Sequence, residues 1–358
     1  MKQIRLKFLA SSSDIIVGLG AYGSIRDHLD QAGLSGSLLV VSQSRVLDAV
    51  GLAGLSGVPV VTIPNGERAK TVRTVSRLID RMVSGGLTRE SIIVAVGGGV
   101  VGDVAGFAAS IYLRGIRIVQ VPTTLLAQVD SSVGGKTGVN HASGKNLIGT
   151  FHQPRLVVAD PLLLQSLPKR DYVSGLYEAL KYGVIRDREQ FELFETNRES
   201  ILDRRPEEME RLVTRSLRSK AAVVAADERE GNVRRILNFG HTLGHAIETA
   251  AGYRRIRHGE AVGYGMIGAT RIARKLGRIS RPQADRIEAA VVSLGRLPRL
   301  QDLSPVAIAA AMQHDKKIRS GTLHFVLPRR VGRVEINSTV TDKLVREVLG
   351  EILEGPPR

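Results

Sequence analysis

Through the first 160 positions, short runs of β-branched and aliphatic residues alternate with longer stretches whose apolar residues recur at helical spacing. Leu38–Val41, Pro59–Ile63, Ser91–Val96 and Arg117–Val121 read as strands, and ten or more helix-compatible residues follow each. Strands separated by helix-length segments predict a mainly parallel sheet, because parallel neighbours need a crossover connection. Residues 92–113 carry a single charge, Asp103, and hydropathy alone would suggest a membrane span. The Gly97-Gly98-Gly99 break instead predicts a buried strand, a turn and a helix.

Past Asp160-Pro161 the β-branched runs thin out. Helical periodicity then dominates near 169–187, 206–227, 235–252, 259–276, 282–293 and 340–353, and alternation over Thr322–Leu327 and Arg333–Asn337 predicts one hairpin around Pro328–Gly332. At 358 residues the chain is long enough for two domains. The change of period places their boundary near residue 165: an α/β domain over 1–165 and a mostly α-helical domain over 166–358.

Composition narrows the chemistry. The net charge of +16 is carried by both halves of the chain and suits acidic small molecules, while the absence of Trp and 4% aromatic residues argue against base stacking on nucleic acid. With no Cys, disulfides, thiolate metal sites and a cysteine nucleophile are excluded, and any metal ligand must be His or a carboxylate. That composition is compatible with a reducing cytoplasm. The N-terminus has no apolar run of signal-peptide length, so neither export nor a membrane partner is expected.

Strand Ser91–Val96 runs into Gly97-Gly98-Gly99-Val100-Val101-Gly102-Asp103, a G-x-G-x-x-G spacing that lets backbone approach a pyrophosphate at a helix N-terminus. The pattern comes late in its domain, and the acidic candidate Glu67 precedes it. A Rossmann-like domain that is not a standard Rossmann fold is therefore expected. Glu67 could accept from a ribose or cap a helix. Residues 122–147 are small, polar and glycine-rich, with Asp130, Lys136, Lys145 and Asn146, and read either as a solvated loop or as a phosphate cradle.

Three of the eight histidines fall within residues 234–260. His241 and His245 are one helical turn apart, and His258 opens a segment that could fold back on them. Glu178, on an apolar helical face with Lys181 one turn on, is the best carboxylate candidate. Two histidines and one glutamate would leave an open position on zinc, as catalytic sites require.

These motifs together resemble the 3-dehydroquinate synthases among the sugar phosphate cyclases, over nearly the whole chain. The carriers are the stretches 97–107, 112–115 (Tyr-Leu-Arg-Gly), 121–140, 144–149 (Gly-Lys-Asn-Leu-Ile-Gly), 237–248, 258–260 (His-Gly-Glu) and 315–317 (Asp-Lys-Lys). The resemblance implies Glu178, His241 and His258 as ligands of one divalent metal, zinc or cobalt, with His245 off the metal near the leaving phosphate. It implies that NAD is held by Asn65, Gly66, Glu67, Arg68, Ala69 and Lys70, by Gly99, Val100, Val101, Gly102 and Asp103, and by Thr123 and Thr124. Lys136, Lys145, Leu163, Leu164, Gln165 and Ser166 complete that set.

Substrate and catalytic groups implied in the same way are Asp130, Lys136, Asn146, Lys181, Lys220, Arg234, Asn238, His245 and Lys316 or Lys317. Arg114 is implied to reach the neighbouring subunit's site in a homodimer. The reaction implied converts 3-deoxy-D-arabino-heptulosonate 7-phosphate to 3-dehydroquinate and phosphate. It runs through transient oxidation by NAD, phosphate elimination, re-reduction, ring opening and aldol closure, which is carbon–oxygen lyase chemistry without net redox change. Another sugar phosphate cyclase is the nearest rival, and a metal-dependent NAD polyol dehydrogenase a more distant one.

Overall fold

A computed structural model describes residues 1–7, 12–228, 231, 233–252, 255–318 and 324–355, and the side chains of all of these except 313–318. The chain divides into two compact units. Residues 1–168 and 206–229 form the first, and residues 169–205 and 230–358 the second.

In the first unit the elements are, in order, β1 (Lys2–Lys7), β2 (Ser12–Val17), α1 (Ile25–Gln31), β3 (Leu38–Ser42), α2 (Ser44–Val50), β4 (Val60–Thr62), α3 (Val72–Ser84), β5 (Ile92–Gly97), α4 (Gly99–Ile111) and β6 (Arg117–Pro122). There follow β7 (Lys136–His141), β8 (Gly144–Phe151) and β9 (Leu156–Ala159). Seven strands make one sheet in the order β1-β2-β9-β6-β5-β3-β4, parallel throughout except for the antiparallel pair β1-β2. The four expected strands are β3 to β6. The edge strand β1, with only Ile4 and Leu6 as apolar alternation, was too polar to stand out.

Side chains alternate strictly across this sheet. Leu39, Val41, Ile93, Ala95 and Ile118 pack with α3 and α4 on one face, while Val40, Ile92, Val94, Val96 and Val119 pack with Tyr22, Ile25 and Leu29 on the other. Burial on both faces explains why the central strands read as continuous apolar runs. Strand order reverses between β3 and β5, and an open α/β sheet offers a ligand crevice outside the carboxyl ends of its strands at such a point.

The glycine-rich stretch 122–147 is not the solvated loop that its composition allowed. It holds a π-helical turn at Ala127–Ser131 and the antiparallel hairpin β7–β8. Glycine serves close strand approach here: a Cβ on Gly149 would lie 2.1 Å from the carbonyl oxygen of Thr137.

The second unit is mostly helical, with α5 (Lys169–Ile185), α6 (Arg188–Thr196) and α7 (Arg198–Leu202). The long helix α8 (Pro206–Ala226) returns to the first unit before the second resumes. It continues with α9 (His241–Ala250), α10 (His258–Lys275), α11 (Arg281–Ser293), α12 (Pro305–Ile318), the hairpin β10 (Phe325–Arg330) and β11 (Arg333–Asn337), and α13 (Asp342–Glu354). The helix expected over 235–252 is in two pieces, a 3₁₀ segment at Val233–Asn238 and then α9. Gly240, at φ 79, makes the left-handed break between them. No helix among the described residues is long and apolar enough to cross a membrane.

Candidate active site

Helix α5 carries Glu178 and Lys181 on one buried face. Their side chains are 0% and 1% exposed, and Lys181 Nζ lies 2.5 Å from Glu178 Oε2. His241 and His258 are the first residues of α9 and α10, two helices packed against each other, and both turn toward the same carboxylate. Glu178 Oε1 stands 3.3 Å from His241 Nε2 and 3.2 Å from His258 Nε2. Oε2 already has the Lys181 ammonium, and Oε1 faces the two imidazole nitrogens. A buried carboxylate oxygen beside two imidazole nitrogens suits a cation held jointly by all three.

The histidine tautomers point the same way. His241 Nδ1 lies 3.1 Å from the carbonyl of Phe239, and His258 Nδ1 lies 3.0 Å from Glu248 Oε2. Each Nδ1 proton is thereby engaged, and Nε2 is left to face Glu178. A tetrahedral site with bonds of about 2.0 Å has edges of about 3.3 Å, the spacing found between these atoms. His245 belongs to the same cluster: its ring centroid is 5.3 Å from that of His241, and ligand atoms of all three histidines lie within 4.8 Å of one another. The residues therefore fit a divalent metal.

Electrostatics agree with that fit. Burial alone would raise the Glu178 carboxyl, yet Lys181, His241 and His258 together hold it well below the usual carboxylate range. At His258, burial pulls the imidazole down, but Glu178 and Glu248 outweigh it and push it up to about 10. The pocket attracts positive charge, as a proton or as a metal.

Ion pairs flank His258. Arg257 pairs with Asp171 at 2.9 Å, Arg170 grips Glu260 through two nitrogens at 2.6 and 2.8 Å, and Arg255 pairs with Asp302. Arg234, 2% exposed, and Asn238 lie on the 3₁₀ segment that leads to His241. Lys316 lies on α12, and the side chains of Lys316 and Lys317 fall outside the described residues.

In the first unit most of the residues expected to hold NAD follow the carboxyl ends of strands in the seven-stranded sheet. Asn65 to Lys70 follow β4, Gly99 to Asp103 open α4 after β5, and Thr123 and Thr124 follow β6. No side chain caps the N-terminus of α4, and an uncapped helix start suits a pyrophosphate. Lys70 Nζ pairs with Asp103 Oδ2 at 2.6 Å and also donates to Asn146 Oδ1. Leu163, Leu164, Gln165 and Ser166 form a 3₁₀ turn after β9, capped by Asp160, which accepts from the N–H of Leu162.

Asp160 also fills a second glycine pattern that the sequence reading passed over. Gly18, Gly20 and Gly23 follow β2 with dinucleotide-type spacing, but the N–H groups of Gly20 and Tyr22 already donate to the Asp160 carboxylate, at 3.0 and 3.1 Å. Lys220, on α8, is brought to Asp130, with Nζ 2.9 Å from Oδ1. Lys136 opens β7, Lys145 is the second residue of β8, and Arg114 lies exposed at φ 67. One residue that the sequence reading missed is Glu248. At i+7 from His241 and i+3 from His245 it shares their helical face, which was the available signal.

The chain is similar to known proteins along nearly its whole length. The family model of the 3-dehydroquinate synthase N-terminal region matches residues 60–174, and that of its C-terminal region matches residues 175–318. The 3-dehydroquinate synthase of Citrifermentans bemidjiense is 46% identical over 361 residues, covering 99% of this chain and 98% of that protein. Among solved structures, a 2-deoxy-scyllo-inosose synthase in complex with carbaglucose-6-phosphate, NAD+ and Co2+ superposes with a TM-score of 0.87 at 30% identity, over 99% of this chain and 100% of its own. The 2-epi-5-epi-valiolone synthase of Streptomyces hygroscopicus subsp. jinggangensis, with NAD+ and Zn2+ bound, gives 0.86 at 29% identity, over 99% of both chains. Family models that together span residues 60–318 and a relative 46% identical over 99% of this chain show that the chain belongs to the 3-dehydroquinate synthase family.

Proposed function

We propose that the protein converts 3-deoxy-D-arabino-heptulosonate 7-phosphate to 3-dehydroquinate and phosphate, acting as a carbon–oxygen lyase with NAD and one divalent metal. The observation that carries this reading is the buried Glu178 carboxylate between His241 Nε2 and His258 Nε2, backed by close relatives of that activity. When bound, NAD supplies a reversible hydride acceptor for C5, and the metal, zinc or cobalt, a Lewis acid for the neighbouring hydroxyls.

The chain's own residues do the rest. Glu178, His241 and His258 hold the ion, and Lys181 keeps Glu178 ionised. Lys220 and Arg234 bind the C1 carboxylate, and Asp130 orders the hydroxyls. Lys136, Asn146, Asn238 and His245 fix the phosphate, so that the departing group stays beside the C6 proton that it can accept. Lys316 or Lys317 adds positive charge for the same anion. NAD is held by Asn65 to Lys70, Gly99 to Asp103, Thr123, Thr124, Lys136, Lys145 and Leu163 to Ser166.

The same reading makes the protein a cytoplasmic homodimer in which Arg114 serves the neighbour's phosphate. Exposed Ile111 and Leu113 beside Arg114, with Leu113 and Arg114 both in the left-handed region, support an interface there. A second reading, another sugar phosphate cyclase, is favoured by the fold likeness to the inosose and valiolone synthases. Purified protein with zinc or cobalt, catalytic NAD and the heptulosonate phosphate decides between them. Equal amounts of phosphate and dehydroquinate without accumulating NADH support the proposal. Turnover only of a non-carboxylate sugar phosphate supports the second reading.

A further inference from the structure

The hairpin β7–β8 changes register between Val139 and His141. At this bulge the backbone N–H of Asn140 leaves the ladder and donates to the carbonyl of Lys70 at 3.0 Å, and bulges re-aim side chains in just this manner. The Asn140 amide then serves two partners. Its Nδ2 donates to Glu67 Oε1 at 2.8 Å, and its Oδ1 accepts from the backbone N–H of Asn146 at 3.0 Å. Asn146 sits at φ 55, a left-handed conformation that is costly for a residue other than glycine unless its surroundings hold it. Its own Oδ1 accepts from Lys70 Nζ, which also pairs with Asp103.

Glu67, Asn140, Asn146 and Lys70 thus form a closed ring within one unit. On the functional reading above, on which this inference rests, Glu67, Lys70 and Asp103 face NAD and Asn146 faces the phosphate. Asn140 belongs to neither set. We infer that Asn140 is a positioning residue that couples the two subsites: NAD orders Glu67 and Lys70, and these order the Asn146 turn through the Asn140 amide before the anion arrives. Only a side chain with both a donor and an acceptor can do this. Aspartate would keep the bond to the Asn146 N–H but set a charge against Glu67, and alanine would lose both bonds. Such coupling is reciprocal, so each ligand tightens the other by one factor.

The test uses full-length, zinc-loaded protein and two probes, NAD and inorganic phosphate, each titrated calorimetrically with and without saturating amounts of the other. In the wild type each ligand should tighten the other about fivefold or more. In N140A and N140D, with melting temperatures matched to the wild type, that factor should fall by about twofold or more, the direct Lys70–Asn146 bond keeping the remainder. An unchanged factor in N140A overturns the inference, as does a wild-type factor of one. If the wild type turns over the heptulosonate phosphate yet shows no coupling, the inference alone fails. If it binds neither NAD nor phosphate, the functional reading fails as well.

Discussion

His258 Nδ1 lies 3.0 Å from Glu248 Oε2, and Glu248 is 6% exposed. A buried carboxylate on the far nitrogen fixes the ring's tautomer and orientation and raises the basicity of Nε2. Glu248→Ala should therefore weaken zinc or cobalt binding by about 10- to 100-fold, and Glu248→Gln by less, because the amide oxygen still accepts the Nδ1 proton. Metal titration of the purified variants, followed by cobalt absorption bands, reads this directly. Wild-type affinity in Glu248→Ala would contradict it.

Removal of Lys181 should tell most in the metal-free protein. Glu178 and Lys181 are both buried, and taking one partner from such a pair costs about 3–5 kcal/mol. Lys181→Met should lower the Tm of the apoprotein, and metal should restore more of the loss than it adds to the wild type. Equal thermal shifts on metal addition in both proteins would show that Glu178 does not face the ion.

Protons and metal should compete at His258. In the metal-free protein its imidazole is pushed up to about 10, so its contribution to stability is complete below the ordinary histidine range and is lost as pH rises through about 10. Metal uptake near neutral pH should then release a proton, and affinity should increase as pH rises toward that value. Calorimetry in buffers of different ionisation enthalpy counts the proton. No release at pH 7 would contradict the assignment.

Lys220 Nζ, 2.9 Å from Asp130 Oδ1, is proposed to meet the substrate carboxylate. A charge-assisted hydrogen bond of about 1.5–3 kcal/mol corresponds to a roughly 10- to 150-fold rise in KM for Lys220→Met. The affinity for NAD should stay near that of the wild type. Steady-state kinetics beside NAD titration separate the two effects, and a KM at the wild-type value would remove Lys220 from the substrate site.

Much of this was legible from periodicity and spacing. Strands β3, β5 and β6 stood out because both of their faces are buried, and His241, His245 and His258 because histidine is scarce in the chain. Glu248 was in reach, on the same helical face as His241 and His245. The hairpin β7–β8 was hidden by the glycines that its close strand approach requires. Asn140 was not legible at all. Its role depends on a register shift, and its partner Glu67 is distant in sequence.

The most direct test of the account follows the hydrogen at C5. With the heptulosonate phosphate deuterated there, divalent metal and NAD well below the substrate concentration, the account predicts that 3-dehydroquinate retains the deuterium while phosphate is released in equal amount. Deuterium collecting in free reduced cofactor, in proportion to turnover, would contradict it and mark a dehydrogenase instead.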